Sequence, residues 1–168
     1  SGVQGNQHSS DATISGDGRF VGFWSYASNL VADDSNGVQD VFVRDRQTGE
    51  TEMISRTPEG LPADDESWLG SMSADGRFIT YVTAATNIVK GEDTFGHAVL
   101  HDRESGTATL LSQSTDGTPA EAGSYSNAAG ISADGSVVVF WSDAANLVAG
   151  DDNEEFDVYV LDQRAGTL

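Results

Sequence analysis

Apolar residues along this chain occur in short runs with the spacing of β-strands, and no stretch keeps a helical period over several turns. A segment ending at Ile14 leads into the turn Gly16-Asp17-Gly18, and the run Phe20–Trp24 follows it. An Asp-Gly turn favours a β-hairpin, and an unbroken apolar run is typical of a strand covered on both faces. Further strands are predicted over Val41–Arg44 and over Thr51–Ser55. The pattern predicts an all-β fold.

This set of strands recurs along the chain. Three strings align without gaps: Ile14–Ser25, Met72–Thr83 and Ile131–Ser142. The aspartates of their turns follow one another after 58 and 59 residues, and a second block, which begins near Asn-Leu-Val or Asn-Ile-Val, follows each string at the same offset. A fixed period of this kind is the signature of a repeat architecture. The repeat predicts three units of four antiparallel strands, over residues 1–56, 57–115 and 116–168.

Four short antiparallel strands per repeat predict the blades of a β-propeller. A single such sheet cannot bury both of its faces, so each unit has to stack on its neighbours. Propellers close with about four to eight blades. Because this chain supplies three, and reaches Thr167-Leu168 where a fourth strand of the last blade should start, we expect half of a six-bladed ring or a fragment of a larger propeller.

Several motifs resemble those of the TolB-like, WD-repeat-like β-propeller family. They are the Ser-Ala-Asp-Gly-Arg-Phe turn at Ser73–Phe78, the Asn-Leu-Val-x-x-Asp loop from Asn29, and the hairpin Asp40–Gly49. The resemblance covers nearly the whole chain. It implies propeller blades, often six in number, in periplasmic, cell-surface or secreted bacterial proteins. It does not imply one activity, because relatives serve as protein-binding scaffolds, as gating domains of peptidases and as supports for sugar-active sites.

The charge balance narrows the classes of partner. Asp and Glu total 27 against 8 Lys and Arg, which gives a formal net charge of -19. A nucleic-acid partner needs a basic surface, and an anionic membrane surface would repel this chain. We therefore expect neither a nucleic acid nor membrane insertion. The chain has no cysteine, which excludes disulfides, thiolate metal sites and cysteine nucleophiles.

The loops after the second strands are acidic and suggest a Ca²⁺ site. In the first unit the candidate ligands are Asp34, Asn36 and Asp40, with Gly37 allowing a tight turn. The third unit repeats the pattern with Asp151, Asn153 and Asp157. Oxygen-bearing side chains that alternate around a glycine turn can converge on a hard cation. Further candidates are Asp33, Asp152, Glu154 and Glu155.

A structural explanation of the same loops stays open. Asp and Asn side chains also stabilise turns by accepting hydrogen bonds from the local backbone. The second unit favours this alternative, because it carries Glu92, Asp93 and Thr94 with one residue deleted, and the pattern is broken. The Asp-Gly turns, and the recurring Asp45, which precedes the hairpin turn, are likewise predicted to fix turns.

Two aromatic residues are candidates for ligand binding. Trp68 and Tyr125 are expected in the polar linkers between units, where an aromatic ring can stack on a sugar or on a partner side chain. Packing between blades is the alternative. By contrast, Trp24 and Trp141 occupy matching positions in second strands and are predicted to be core residues.

No set of residues marks a catalytic site. His97 and His101 have no partner at metal-ligand spacing and are predicted to be exposed loop residues, and there is no nucleophile-elbow or phosphate-binding motif. The sequence favours a non-catalytic module that binds a protein or glycan and is secreted, on the cell surface or periplasmic. Two alternatives stay open: an enzyme fragment, such as the propeller of a sugar lyase or peptidase, and a self-assembling unit that closes a ring as a homodimer. The remaining blades of a longer chain are the other possible partner.

Overall fold

The fold consists of antiparallel sheets alone. A computed structural model describes residues 4–90, 96–121, 125–153 and 155–165, and these residues contain no helix, and so none that could span a membrane. The strands are β1 (Ser9–Ile14), β2 (Phe20–Ser25), β3 (Asp40–Asp45), β4 (Thr51–Met53), β5 (Ser67–Met72), β6 (Phe78–Thr83), β7 (His97–Asp102), β8 (Thr107–Leu110), β9 (Ser126–Ile131), β10 (Val137–Ser142) and β11 (Asp157–Asp162). The all-β prediction is confirmed.

Consecutive strands are neighbours in every sheet. Sheet 1 has the order β1-β2-β3-β4, sheet 2 the order β5-β6-β7-β8, and sheet 3 the order β9-β10-β11. The place expected for a fourth strand of sheet 3, at Thr167-Leu168, lies outside the described residues. In sheet 1 the fourth strand ends at Met53 and not at the predicted Ser55, because the Ser55 hydroxyl donates to Asp40 and the chain turns there.

The Asp-Gly turns are hairpin turns, as predicted. The Ser15 hydroxyl donates to Asp17 Oδ1 (2.7 Å) and accepts from the Phe20 N–H (2.9 Å). Gly18 has φ +73°, a backbone conformation that glycine adopts without strain. The same bonds recur at the other two turns, through Ser73 with Asp75 and Ser132 with Asp134. Each turn is therefore fixed by its own side chains.

The aspartates that precede the second turn of each hairpin also act as predicted. Asp45 accepts from the Gln47 N–H (2.7 Å) and forms an ion pair with Arg19 (2.6 Å). In sheet 2, Asp102 pairs with Arg77 at 2.7 Å. These contacts connect the two turns at one end of sheets 1 and 2.

The three sheets stack face to face, and the core lies between them. Between sheets 1 and 2 the fully buried residues include Val41, Val43, Ile54, Ile79, Tyr81 and Val99. Between sheets 2 and 3 they include Val82, Ala98, Leu111, Val138, Phe140 and Leu147. Burial of one Val, Leu, Ile or Phe side chain stabilises a fold by about 1.5–3 kcal/mol. The stacking of blades therefore supplies most of the apolar core.

Burial depends on the position of a sheet in the stack. β6, in the middle sheet, is buried at all but one position, whereas β2 and β10 are half-buried along much of their length. Trp24 and Trp141 are consequently half-buried and not the core residues predicted. Trp24 reaches the edge of its sheet and donates from Nε1 to Asp11 (2.6 Å). Trp141 lies on the side of sheet 3 that no other described sheet covers.

Candidate functional site: the acidic end and the open face

The connections between strands place the acidic loops together at one end of the three sheets. The loop after each second strand and the linker before each first strand are held to one another by an asparagine. Asn29 accepts from the Asn6 N–H and donates to the Gln4 carbonyl oxygen, and Asn87 and Asn146 make the same pair of bonds with their own linkers. We call this end of the sheets the acidic end. It carries acidic side chains from all three units: Asp33, Asp34, Asp64, Asp65, Glu66, Glu121, Asp151 and Asp152.

The opposite end carries the hairpin turns, and most of the arginines lie there. They include Arg19, Arg77 and Arg103, which pair with Asp45, Asp102 and Glu52 respectively. Charges at the turn end are therefore largely balanced within and between sheets. At the acidic end the described basic residues are Arg56 and Lys90.

The first acidic loop has a buried carboxylate at its base. Asp40 is fully buried at the start of β3, where Oδ1 accepts from the Ser55 hydroxyl (2.5 Å). Its Oδ2 accepts from the Asn36 amide nitrogen (2.7 Å), which also donates to the Ala63 carbonyl oxygen of the next linker (3.0 Å). Asn36 thus joins the loop, the strand and the neighbouring unit.

Burial changes the acidity of this loop. Desolvation raises the pKa of Asp40 to about 6, although hydrogen bonds from Ser55 and Asn36 favour the charged form. Burial also raises the pKa of Asp34, whose negative charge acts against ionisation of Asp40. Asp33 differs, because a hydrogen bond from Arg56 lowers its pKa to about 2. Two carboxylates with raised pKa values are therefore close enough to repel each other, which a bound cation would relieve.

The loop of sheet 3 repeats one part of this arrangement. Asn153 donates to Asp157 at 3.2 Å, as Asn36 does to Asp40. Asp151 instead accepts from the Tyr159 hydroxyl (2.8 Å). Among the described residues no group of three or more His, Asp or Glu side chains is placed to hold a metal ion, and Glu92, Asp93, Thr94 and Glu154 lie outside them. Ca²⁺ binding stays a prediction.

The two ligand-binding aromatics lie in different surroundings. Trp68 is in β5, not in the linker as expected, where it is half-buried and packs against the core between sheets 2 and 3. Tyr125 directly precedes β9, and its ring centroid is 5.4 Å from that of Trp141 and 6.4 Å from that of Phe156. Trp141 and Phe156 meet edge to face at 4.9 Å. Tyr125 therefore belongs to an aromatic cluster that the sequence spacing did not reveal.

The aromatic cluster borders an uncovered apolar face of sheet 3. We define the open face by Val137, Val139, Trp141, Val158 and Val160, the side of β10 and β11 that points away from sheet 2. Val158 and Val160 are 69% and 53% exposed. A groove of about 550 Å³ lies beside them and is lined by the acidic loop, including Asp151 and Asp157.

The histidines of sheet 2 lie in a strand and do not form a loop site; His97 is buried and His101 is half-buried. His97 and His101 both lie in β7, and burial lowers the pKa of each. The prediction of exposed loop histidines is wrong for both. His97 occupies the same buried position at the start of a third strand as Asp40 does in sheet 1, and His101 lies half-buried within β7.

Solved structures with the same fold belong to larger proteins. TolB from Acinetobacter baumannii aligns with a TM-score of 0.55 and 15% identity over 96% of this chain and 31% of TolB. A TolB structure from Agrobacterium tumefaciens gives 0.55 and 18% over 94% and 43%, and the tricorn protease gives 0.51 and 16% over 92% and 13%. The chain thus spans less than half the length of each. No protein-family model and no curated protein matches the chain. The chain has a TolB-like β-propeller fold.

Proposed function

We propose that this chain is a non-catalytic propeller module that acts outside the cytoplasm and binds a protein partner through its acidic end. The observation that carries the proposal is the separation of charge along the sheets. Arginines at the turn end are paired with acids, whereas the acidic end collects carboxylates from all three units with little basic charge to offset them. Such a surface attracts a cationic patch on a partner and accelerates its association.

The repeated polar residues support a scaffold and not a catalyst. Ser15, Asp17, Asn29 and Asp45 all have full structural explanations as turn or linker contacts. Catalysis needs a unique constellation, and the described polar residues that recur in every unit form none. The location outside the cytoplasm rests on the TolB-like motifs.

Ca²⁺ bound in the first acidic loop would brace this end of the module. The mutual repulsion of Asp34 and Asp40 supports this part of the proposal, because a divalent cation offsets it. Extracellular modules bind Ca²⁺ with dissociation constants of about 10⁻⁴–10⁻³ M. Addition of about 5 mM CaCl₂ should therefore raise the melting temperature at pH 7. Asp34→Asn should abolish the increase, while Asp65→Asn, a neutralisation elsewhere at the acidic end, should preserve it; an unchanged melting temperature of the wild-type chain would rule the site out.

Partner binding is tested with a defined cationic probe. A peptide of eight lysines is titrated calorimetrically into the chain at 0.05 M and 0.15 M NaCl. Asp65→Asn with Asp152→Asn should weaken binding about five- to tenfold, since each exposed ion pair contributes about 0.5–0.7 kcal/mol. The matched control, Glu50→Gln with Glu104→Gln at the turn end, removes the same charge and should change affinity less than about twofold.

Three results would contradict this proposal. Equal weakening by both double variants would show that net charge alone attracts the peptide. Absence of binding by the wild-type chain would contradict a cationic partner. Turnover of a peptide or glycan substrate by the purified chain would favour an enzyme fragment.

A glycan ligand is the second candidate, because Tyr125, Trp141 and Phe156 offer rings on which a sugar can stack.

A further inference from the structure

The two junctions between sheets are built from the same parts. The Phe20 ring of sheet 1 lies on Gly76 of sheet 2, and the Phe78 ring of sheet 2 lies on Gly135 of sheet 3. A Cβ atom at either glycine would overlap the ring. Arg103 covers Phe20 at 4.2 Å from the ring centroid and donates to the Gly76 carbonyl oxygen. Each of these Asp-Gly turns therefore forms a hairpin and also contacts the Phe ring of the preceding blade.

Backbone hydrogen bonds between the turns follow the same direction. The Gly16 N–H donates to the Ala74 carbonyl oxygen (2.7 Å), and the Ala74 N–H donates to the Ala133 carbonyl oxygen (2.9 Å). At each junction the earlier sheet supplies the donor and the later sheet the acceptor. The next donor in this series is the Ala133 N–H, and the equivalent acceptor on sheet 1 is the Gly16 carbonyl oxygen.

The open face of sheet 3 is the apolar side of a junction that lacks its second half, with Val137 at the position of Phe20 and Phe78. Val158 and Val160 are 69% and 53% exposed, while Val41 and Val43, at the same positions in sheet 1, are 0% and 1% exposed beneath sheet 2. The same positions in sheet 2 are also buried, by sheet 3. Isolated exposed valines are common on protein surfaces, but a contiguous apolar face indicates a contact surface.

Sheet 1 carries the matching half of a junction. Arg46 donates to the Gly18 carbonyl oxygen (2.6 Å), as Arg103 does to Gly76, but no described ring from another sheet lies on Gly18. Ile14 is 57% exposed on the same side. Leu30 is half-buried there, whereas the equivalent Ile88 and Leu147 are buried in the junctions.

We propose that the open face of sheet 3 binds sheet 1 of a second copy of this chain. The contact is head to tail, and a two-fold axis makes it twice, so that two three-bladed chains close a ring with no open face. The internal repeat indicates the occupant, because the apolar open face of sheet 3 matches the exposed Ile14 and the half-buried Leu30 of sheet 1. The open face lies beside the acidic end but does not include its carboxylates, so the inference does not depend on the proposed protein partner.

The charge of the chain sets the conditions of the test. Each copy carries a formal net charge of -19, and all acidic ends would lie on one side of the ring, so repulsion opposes assembly at low salt. At about 0.15 M salt charges are screened beyond about 8 Å. We expect light scattering of the 168-residue chain to give twice the 17.7 kDa monomer mass at 0.5 M NaCl, with more monomer at 0.05 M. A monomer at every salt and protein concentration would overturn the proposal and assign the face to a different occupant.

Charge-pair variants test the head-to-tail geometry. Val160→Lys and Ile14→Glu replace exposed residues, so both variants should fold, and each alone should be monomeric. Mixed in equal amounts, they should restore the dimer, since one junction is then unmodified and the other pairs opposite charges. Leu61→Glu, a change at a 63% exposed linker residue away from both faces, should remain dimeric. A dimer that survives both single variants, or a mixture that stays monomeric, would overturn the geometry.

Discussion

The buried carboxylate of Asp40 should make the stability of the fold fall as the pH rises from about 4 to about 6. Burial raises the pKa of Asp40 to about 6 from an ordinary value of 3.8. Between these values the folded chain keeps a proton that the unfolded chain has lost, so stability is full below pH 4 and decreases with a slope of about 1.4 kcal/mol per pH unit. The total loss by neutral pH is about 3 kcal/mol.

Asp40→Asn removes this titration without a large change in shape. The amide can still accept from Ser55 or Asn36, but it loses the charge-assisted part of those hydrogen bonds. We therefore expect the difference in free energy of unfolding between variant and wild type to move by about 2 kcal/mol in favour of the variant from pH 4.5 to pH 7.5. Urea unfolding at each pH measures it.

Other titrating groups cancel in this comparison. Burial lowers the pKa values of His97 and His101, so both proteins alike gain stability as the pH rises toward about 6.5, where this gain is complete. Asp34, the acid beside position 40, is present in both the variant and the wild type. The matched control is Asp157→Asn, which makes the same change at the equivalent, half-buried position of sheet 3. A difference for Asp40→Asn that stays constant from pH 4.5 to 7.5 would refute the raised pKa.

Two further predictions concern packing. Gly135→Ala should destabilise the fold by about 1–3 kcal/mol more than Gly117→Ala, because both glycines have positive φ but only Gly135 has a ring against it; equal losses in thermal unfolding would argue against the junction. Tyr81→Phe should stabilise the fold by about 1 kcal/mol, because the buried Tyr81 hydroxyl has no hydrogen-bond partner among the described residues. Tyr159→Phe should instead destabilise it by a similar amount, since its hydroxyl donates to Asp151; the same sign for both in urea unfolding would contradict the assignment.

Local chemistry explains what could be read from the sequence about the fold. The period of the repeat, the alternation of strands and the Ser-x-Asp-Gly turns depend on contacts within a few residues, such as Ser15 with Asp17. These contacts are the same wherever the unit sits in the stack. An asparagine at the position of Asn29 in every unit indicates a structural hydrogen bond. The spacing does not identify its partner, because the Gln4 carbonyl oxygen in the linker is 25 residues away.

The candidate sites depended on contacts that sequence spacing does not encode. Trp68 lies in a strand and packs toward sheet 3, although polar residues precede it. Asp40 and Asp157 begin similar strands, yet only Asp40 is fully buried, because the first loop lies against the linker to sheet 2.

The sequence by itself determined the repeated unit, its four-strand plan and the chemistry of its turns. Only the tertiary structure decided which faces are covered. Asp-Val-Phe-Val in sheet 1 and Asp-Val-Tyr-Val in sheet 3 are nearly the same string, but the valines of the first are buried and those of the second are exposed. The physical reason is that the burial of a β-strand's side chains is set by the sheet stacked on them, and that sheet comes from a distant part of the chain or from another molecule.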